Sequence, residues 1–154
     1  MLSIEILPAS IGDAECLLEL QKAAFIQQAE IYNDYTIPPL VESIDEFKTA
    51  FENHAIYKTV INSSIIGSVR VHVENSTCFI SRLVVNPTQQ NRGIGKALMA
   101  FVEKSYSSRV TRFELFTGHK SENNISLYKR LGYTVFKTDT NYVVPVIYME
   151  KLVN

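Results

Sequence analysis

A chain of 154 residues that is 46% apolar and 20% charged has the makeup of a folded globular protein. At this length roughly 68–70% of the unfolded surface is buried, with no need of a disulfide or metal staple. Fifteen Lys and Arg against sixteen Asp and Glu leave a formal charge of -1, which excludes the broad basic field of a non-specific nucleic-acid binder, so any anion must be held by local geometry.

Cys16 and Cys78 stand far apart with no CxxC or Cys/His cluster, so neither a zinc site nor a disulfide framework is legible, and both thiols are expected to be reduced and buried. Met1 to Asp13 contains Glu5 and Asp13 and no Lys or Arg, unlike the positive start of a secretory signal. No apolar run approaches the roughly 18 residues of a spanning helix. One domain over residues 1–154, in the cytoplasm and with no membrane partner, is the expectation.

In chain order, Ser3 to Pro8 alternates and ends at a proline, as a short edge strand does. Leu17, Leu20 and Ala24, with Leu18 and Phe25 beside them, follow a Ser10/Asp13 start, so about Gly12 to Ile31 reads as an amphipathic helix. Asn33 to Leu40 carries turn formers and two prolines and reads as a loop. Ser43 and Glu46 form a capping box that opens a helix to about His54. Tyr57 to Ile61, Ile65 to Glu74 and Thr77 to Val85 read as strands joined by short turns, hence antiparallel neighbours. After Asn86-Pro87 a glycine-bearing turn leads into a helix with Ile94, Leu98, Phe101 and Val102 on one face. Phe113 to Thr117 is a strand, about Glu122 to Leu131 a helix closed by Gly132, and Tyr133 to Asp139 and Tyr142 to Leu152 are strands.

The segment Leu83 to Leu98 carries the chemistry. A helix start leaves unpaired amides and partial positive charge, and glycines let that backbone approach an anion, so residues 90–96 can cradle a phosphate; the plainer alternative is that Gly93 and Gly95 only allow close helix-on-sheet packing. The segment fails the dinucleotide fingerprint, which needs Gly or Ala where Leu98 stands, and the P-loop, which needs Gly at Gln90 and Ser or Thr at Ala97.

Gln90-Asn91-Arg92-Gly93-Ile94-Gly95 resembles instead the Q/R-x-x-G-x-G/A signature of the GNAT superfamily of acetyl-CoA-dependent N-acetyltransferases. Asn124 to Tyr133, a helix carrying Leu127-Tyr128 and ending at Gly132-Tyr133, resembles that family's second signature. The resemblance implies an α/β fold, a mixed and mostly antiparallel twisted sheet of about seven strands with helices on both faces. It implies that the pyrophosphate of acetyl-CoA sits on the amides of Asn91, Arg92, Gly93, Ile94, Gly95 and Lys96 beside Gln90, and that the pantetheine runs along Leu83, Val84 and Val85 where that strand splays from the next. It gives Tyr128 the role of acid toward the departing thiolate and the Val84 amide that of oxyanion donor. The commonest family pattern has an asparagine seven positions before the tyrosine, where this chain has Ser121, so whether Asn124 or Ser121 meets the cofactor stays open.

A lysine-like amine has a pKa of about 10.4, so transfer at neutral pH needs a base or a water relay. Residues 78–85 hold no carboxylate; Glu30, Asp34, His72 and Glu74 are the candidates. The acceptor is expected to lie against Ala29 to Ser43 and the last strand pair, with Glu30, Tyr32, Asp34 and Tyr35 as its contacts. The expected activity is acetyl transfer to a primary amine of a small molecule or peptide by direct attack, in a monomer or homodimer without metal. The alternative is a non-catalytic acyl-CoA-binding regulatory module.

Overall fold

The computed structural model describes residues 4–141 and 144–154. The described residues form a seven-stranded sheet, β1 (Glu5–Pro8), β2 (Ala55–Ile61), β3 (Ser64–Glu74), β4 (Thr77–Val85), β5 (Arg112–Gly118), β6 (Thr134–Asp139) and β7 (Val146–Leu152), ordered β1-β2-β3-β4-β5-β7-β6. All neighbours are antiparallel except β4 and β5. The turns at Asn62-Ser63 and Asn75-Ser76 hold both residues at positive φ, the geometry that tight hairpins require of the twist, so the three consecutive strands pair as expected.

Helices cover both faces. On one, α4 (Ile94–Tyr106) buries Ile94, Leu98, Met99 and Val102 against Val69, Val71, Ile80 and Leu115, with α5 (Glu122–Arg130) beside it through Tyr128. Each such side chain stabilises by about 1.5–3 kcal/mol, which holds the start of α4 in place. On the other, α1 (Ala14–Tyr32) and α3 (Ile44–Ala50) enclose Leu17, Leu18, Phe47 and Ile56. The Ser43 and Glu46 capping box forms, the Glu46 amide donating to Ser43 Oγ at 3.1 Å and the Ser43 amide to Glu46 Oε1 at 2.9 Å.

Several expectations change. Asn33 to Leu40 is not wholly loop, because Pro38 opens the short helix α2 (Pro38–Val41). A proline at a first helical position has its φ already set and lacks only an amide that would be unpaired there. Cys78 is fully buried but Cys16 is exposed, so only one thiol is a core residue. The last strand begins at Val146, since Pro145 has no amide for a ladder; Tyr142 and Val143 lie outside the described residues.

Burial raises the pKa of Tyr57, with help from its Tyr106 partner, and of Tyr128, each to about 12 against an ordinary value near 10. The unfolded chain therefore ionises first as alkali is added, so this contribution to stability is complete below pH 10 and is lost as pH rises toward 12. The urea midpoint is expected to hold between pH 8 and 9.5 and to fall steeply by pH 11, read by circular dichroism.

Candidate active site

Strands β4 and β5 pair only at Thr77 with Arg112, Cys78 with Phe113 and Phe79 with Glu114. Beyond Phe79 they diverge, while β5 stays paired to β7 as far as Gly118. The wedge between them is the central opening of the sheet.

On β4, Arg70 faces Ser81 and Ser68 faces Val84, so Arg82 and Leu83 together oppose Val69 in a bulge, with Arg82 at φ 51. The bulge and ladder decide which amides are free. Asn86 donates to the Ile66 carbonyl at 2.7 Å, so by the alternation of antiparallel pairs the Gly67 and Val85 pair is non-bonded and the Ser68 and Val84 pair is bonded. The Val84 carbonyl accordingly lies 3.2 Å from where a Gly67 Cβ would stand. The alternation turns the Val84 amide to β3, away from the wedge expected for it, and the peptide group of Val85 to the wedge.

A cavity of about 650 Å³ runs from the wedge over the start of α4, lined by Leu83, Val84 and Val85, by Gln90, Asn91, Gly93, Ile94, Gly95 and Lys96, and by Asn124 and Arg130. Gly93 sits at φ 79 as the N-cap, and no side chain caps the helix, so the first-turn amides of α4 face this cavity unspent. A Cβ at Gly93 would meet nothing within 4 Å, and one at Gly95 would meet Leu127, Val85 and Leu83 only at 3.8–4.0 Å. Helix-on-sheet packing therefore does not require glycine at 95.

A second cavity of about 530 Å³ adjoins it and shares Phe25, Gln28, Leu83 and Asn124. Its walls are Ile80 to Leu83, Leu115 to Gly118, Tyr32, Asp34, Thr36 to Pro39, Tyr128, Val144, Val146 and Tyr148. The Tyr128 hydroxyl has no hydrogen-bond partner among the described residues, and its ring packs on Tyr133 with centroids 6.1 Å apart.

Residues 17–133 match the acetyltransferase (GNAT) family. The chain belongs to the GNAT family of acetyltransferases. Solved structures share the GNAT fold with it. The PaiA N-acetyltransferase from Thermoplasma acidophilum in complex with coenzyme A aligns with a TM-score of 0.85 at 21% identity, covering 98% of this chain and 99% of that one. The ribosomal-protein-S18-alanine N-acetyltransferase from Escherichia coli aligns with a TM-score of 0.83 at 18% identity, covering 99% and 95%. Over 122 residues the chain is 30% identical to the UPF0157 protein YqkA of Bacillus subtilis (strain 168), a stretch that is 79% of this chain and 35% of YqkA. The chain thus spans about a third of that curated relative.

Within this GNAT fold the residues expected from sequence divide. Gln90, Asn91, Gly93, Ile94, Gly95 and Lys96 line the first cavity, but Arg92 is exposed and outside the lining, whereas Gln89 and Arg130, not foreseen, are part of it. Asn124 stands where the two cavities meet and donates to Thr117 Oγ1 at 3.5 Å. Ser121 is buried and outside both linings, occupied in a relay in which the Lys120 amide donates to the Tyr32 hydroxyl, which bonds Ser121 Oγ, which donates to Gln28 Oε1. Between these two, Asn124 is the one that reaches the cavities.

Tyr32 and Asp34 line the second cavity; Glu30 and Tyr35 are exposed and do not. Asp34 Oδ1 accepts from the Thr36 hydroxyl at 2.6 Å and its amide at 2.9 Å, which hold the carboxyl below the ordinary range. His72 and Glu74 pair with Phe79 and Thr77, at the closed end of β4, and line neither cavity. Burial pushes the Cys78 thiol up to about 12, and it too lies outside both linings. Among the described residues no cluster of three or more His, Cys, Asp or Glu is placed to hold a metal, and no helix is long and apolar enough to cross a membrane.

Sequence reasoning missed the Glu42 cluster behind the cavity wall. Glu42 takes Arg70 on both oxygens at 3.2 Å and Gln21 Nε2 at 2.8 Å, with Arg82 Nε at 3.7 Å. Burial alone raises this carboxyl, but the Arg70 and Gln21 hydrogen bonds and the two arginine charges outweigh it and hold it below the ordinary range. The legible signal was Arg82, the one charged residue in Thr77 to Val85.

The wall also depends on Gly118, where a Cβ would collide with the Tyr32 hydroxyl and ring. Gly118→Ala is expected to displace Tyr32 from Lys120 and Ser121 and to destabilise by about 1–3 kcal/mol, measured by urea denaturation.

Proposed function

We propose that this GNAT protein is an N-acetyltransferase that moves acetyl from acetyl-CoA to a primary amine of a small molecule or peptide, by direct attack within a ternary complex. The observation that carries the reading is the uncapped start of α4 with a bare Gly95, opening onto diverging strands that lead into a second cavity. The residues fit acyl-CoA: amides at a helix N-terminus with Lys96 and Arg130 nearby suit a pyrophosphate, and the Leu83 to Val85 edge of β4, with the Val85 peptide turned to the wedge, suits an amide-bearing arm laid alongside as an added strand. PaiA from T. acidophilum, so similar in fold, was solved with coenzyme A, which supports the same ligand here.

Acetyl-CoA supplies an activated acyl group on a thiol of pKa about 8.5. We assign to the Leu83 amide, within the bulge that follows Ser81 and at the mouth of the wedge, the hydrogen bond to the acyl oxygen as charge builds on it. Tyr128, kept protonated by burial, donates its proton to the departing sulfur and is restored by the proton that the attacking nitrogen sheds as it becomes the amide. Asp34 is the one carboxylate among the described lining residues of the second cavity, and its charge attracts the ammonium form of the acceptor. It is too weak a base to deprotonate an ammonium outright, so the amine loses its proton to water before attack. Cys78, buried and protonated, takes no part, which favours direct attack over a covalent route.

The test is calorimetric titration with acetyl-CoA, using ATP and NAD as controls, followed by an amine panel scored by release of CoA. Sub-millimolar binding of acetyl-CoA alone, with CoA release on at least one amine, is the expected result. Binding without release from any amine would favour the acyl-CoA-binding regulatory module. No binding by the folded protein would overturn both.

A further inference from the structure

We infer that the acceptor carries a carboxylate as well as its amine, and that Arg82 holds that carboxylate at the wall of the second cavity; the inference deepens the acetyltransferase reading and rests on it. Arg82 is the lone cation among the described residues that line this cavity. Behind it, two arginines share one carboxylate. Arg70 engages both Glu42 oxygens and stacks over Phe47, so its charge is matched. Arg82 approaches Glu42 only to 3.7 Å, its Nε is buried with no hydrogen-bond partner, and its guanidinium makes no hydrogen bond to any described residue. One positive charge and a fork of donors are left over.

A buried Nε without a hydrogen-bond partner is costly, and a carboxylate entering the cavity would engage the donors that Glu42 leaves over. The fold also aims it: the bulge, with Arg82 at positive φ, places a charged residue in the wall at the mouth of the wedge, next to the Leu83 amide. A planar fork matches a planar carboxylate on two bonds. The rest of the wall sets the body of the acceptor. Ile37, Leu115, Phe116 and Val146 are apolar, about 530 Å³ is the size of a small-molecule site, and Asp34 in the same lining offers the opposite charge for an ammonium. An aminocarboxylate with an apolar side chain satisfies all three.

The experiment titrates the protein, free and loaded with CoA, with N-acetylphenylalanine and with its uncharged amide. The acid is expected to bind at least about ten-fold more tightly than the amide, and Arg82→Gln is expected to erase that gap while CoA affinity stays as in the unsubstituted protein. If Arg82→Gln does not fold, Arg82→Lys decides, since it keeps the charge and loses the fork. A gap narrowed several-fold supports the assignment, and an undiminished one overturns it. Equal binding of acid and amide, or a gap that survives in Arg82→Gln, overturns it as well. A protein that binds CoA but does not prefer the acid loses the carboxylate site and keeps the acetyltransferase reading. One that prefers the acid but binds no CoA keeps the carboxylate site and loses the acetyltransferase reading.

Discussion

Tyr128→Phe is expected to lower kcat on the order of 10²-fold while acetyl-CoA affinity changes by less than about two-fold. The substitution removes one oxygen. The phenyl ring keeps its packing against Tyr133 and its place in the wall of the second cavity, so the shape offered to ligands survives. What disappears is a hydroxyl that no described residue engages and that burial holds protonated, the two properties an acid toward a departing thiolate needs. The leaving thiol has a pKa of about 8.5, so the thiolate can depart unaided, which sets the expected loss nearer the low end of general-acid effects. The comparison is made by steady-state kinetics beside calorimetric affinity. Equal losses in kcat and affinity would show that Tyr128 binds rather than protonates.

The pH profile checks the same assignment. Tyr128, with a pKa of about 12, stays protonated through the working range, so it adds no falling limb below pH 10. The amine must be neutral to attack, and Asp34, held below the ordinary carboxylate range, does not take its proton. For the unsubstituted enzyme kcat/KM is therefore expected to rise with pH toward the pKa of the acceptor amine and then level off. A descending limb between pH 7 and 9 would mean that some other group acts as the acid.

The parts of this molecule that follow local rules were legible in its sequence. β-Branched and aromatic runs joined by short polar turns marked β2, β3 and β4 as antiparallel neighbours, Ser43 with Glu46 marked the start of α3, and the spacing of Ile94, Leu98 and Val102 marked the buried face of α4. The order of the two glycine-bearing signatures carried the family. The parts set by partners distant in sequence were not legible. Which amide faces the wedge depends on a bulge visible only once Ser68 and Arg70 are paired with Val84 and Ser81, so the direction of the Val84 amide could not be read from the sequence. Ser121 and Asn124 are indistinguishable until Tyr32, some ninety residues earlier, is seen to occupy the first. Glu42 looks like a loop acid because nothing local shows that Arg70 and Gln21 converge on it. Glu30 and Tyr35 match the expected chemistry but lie on faces of their segments that the cavity does not reach.

Gly95→Val is expected to weaken acetyl-CoA binding by at least about ten-fold while leaving the fold in place, with a melting temperature within a few degrees of the parent. Two accounts of this glycine make opposite forecasts. If its job were close packing of α4 on the sheet, a Cβ would press on the strand and stability would fall with binding. Yet the nearest atoms to that Cβ are side-chain carbons of Leu127, Val85 and Leu83 at ordinary contact distance, and these same residues line the first cavity. A branched side chain at 95 therefore projects into the space between helix start and strand, where a ligand lying on the amides of α4 must pass, rather than into the core beneath Ile94 and Leu98. Valine's helix propensity is no lower than glycine's, so the exchange does not in itself weaken a helix anchored by buried side chains. Gly95→Ala, with one methyl group, is expected to fall between the parent and the valine in affinity. Gly93 forms the contrast: at φ 79 any side chain there is strained although the space is open, so Gly93→Ala is expected to lower stability as well as binding. A Gly95→Val protein that melts far below the parent would return Gly95 to a packing role and leave the uncapped amides of α4 as the sole support for the cradle.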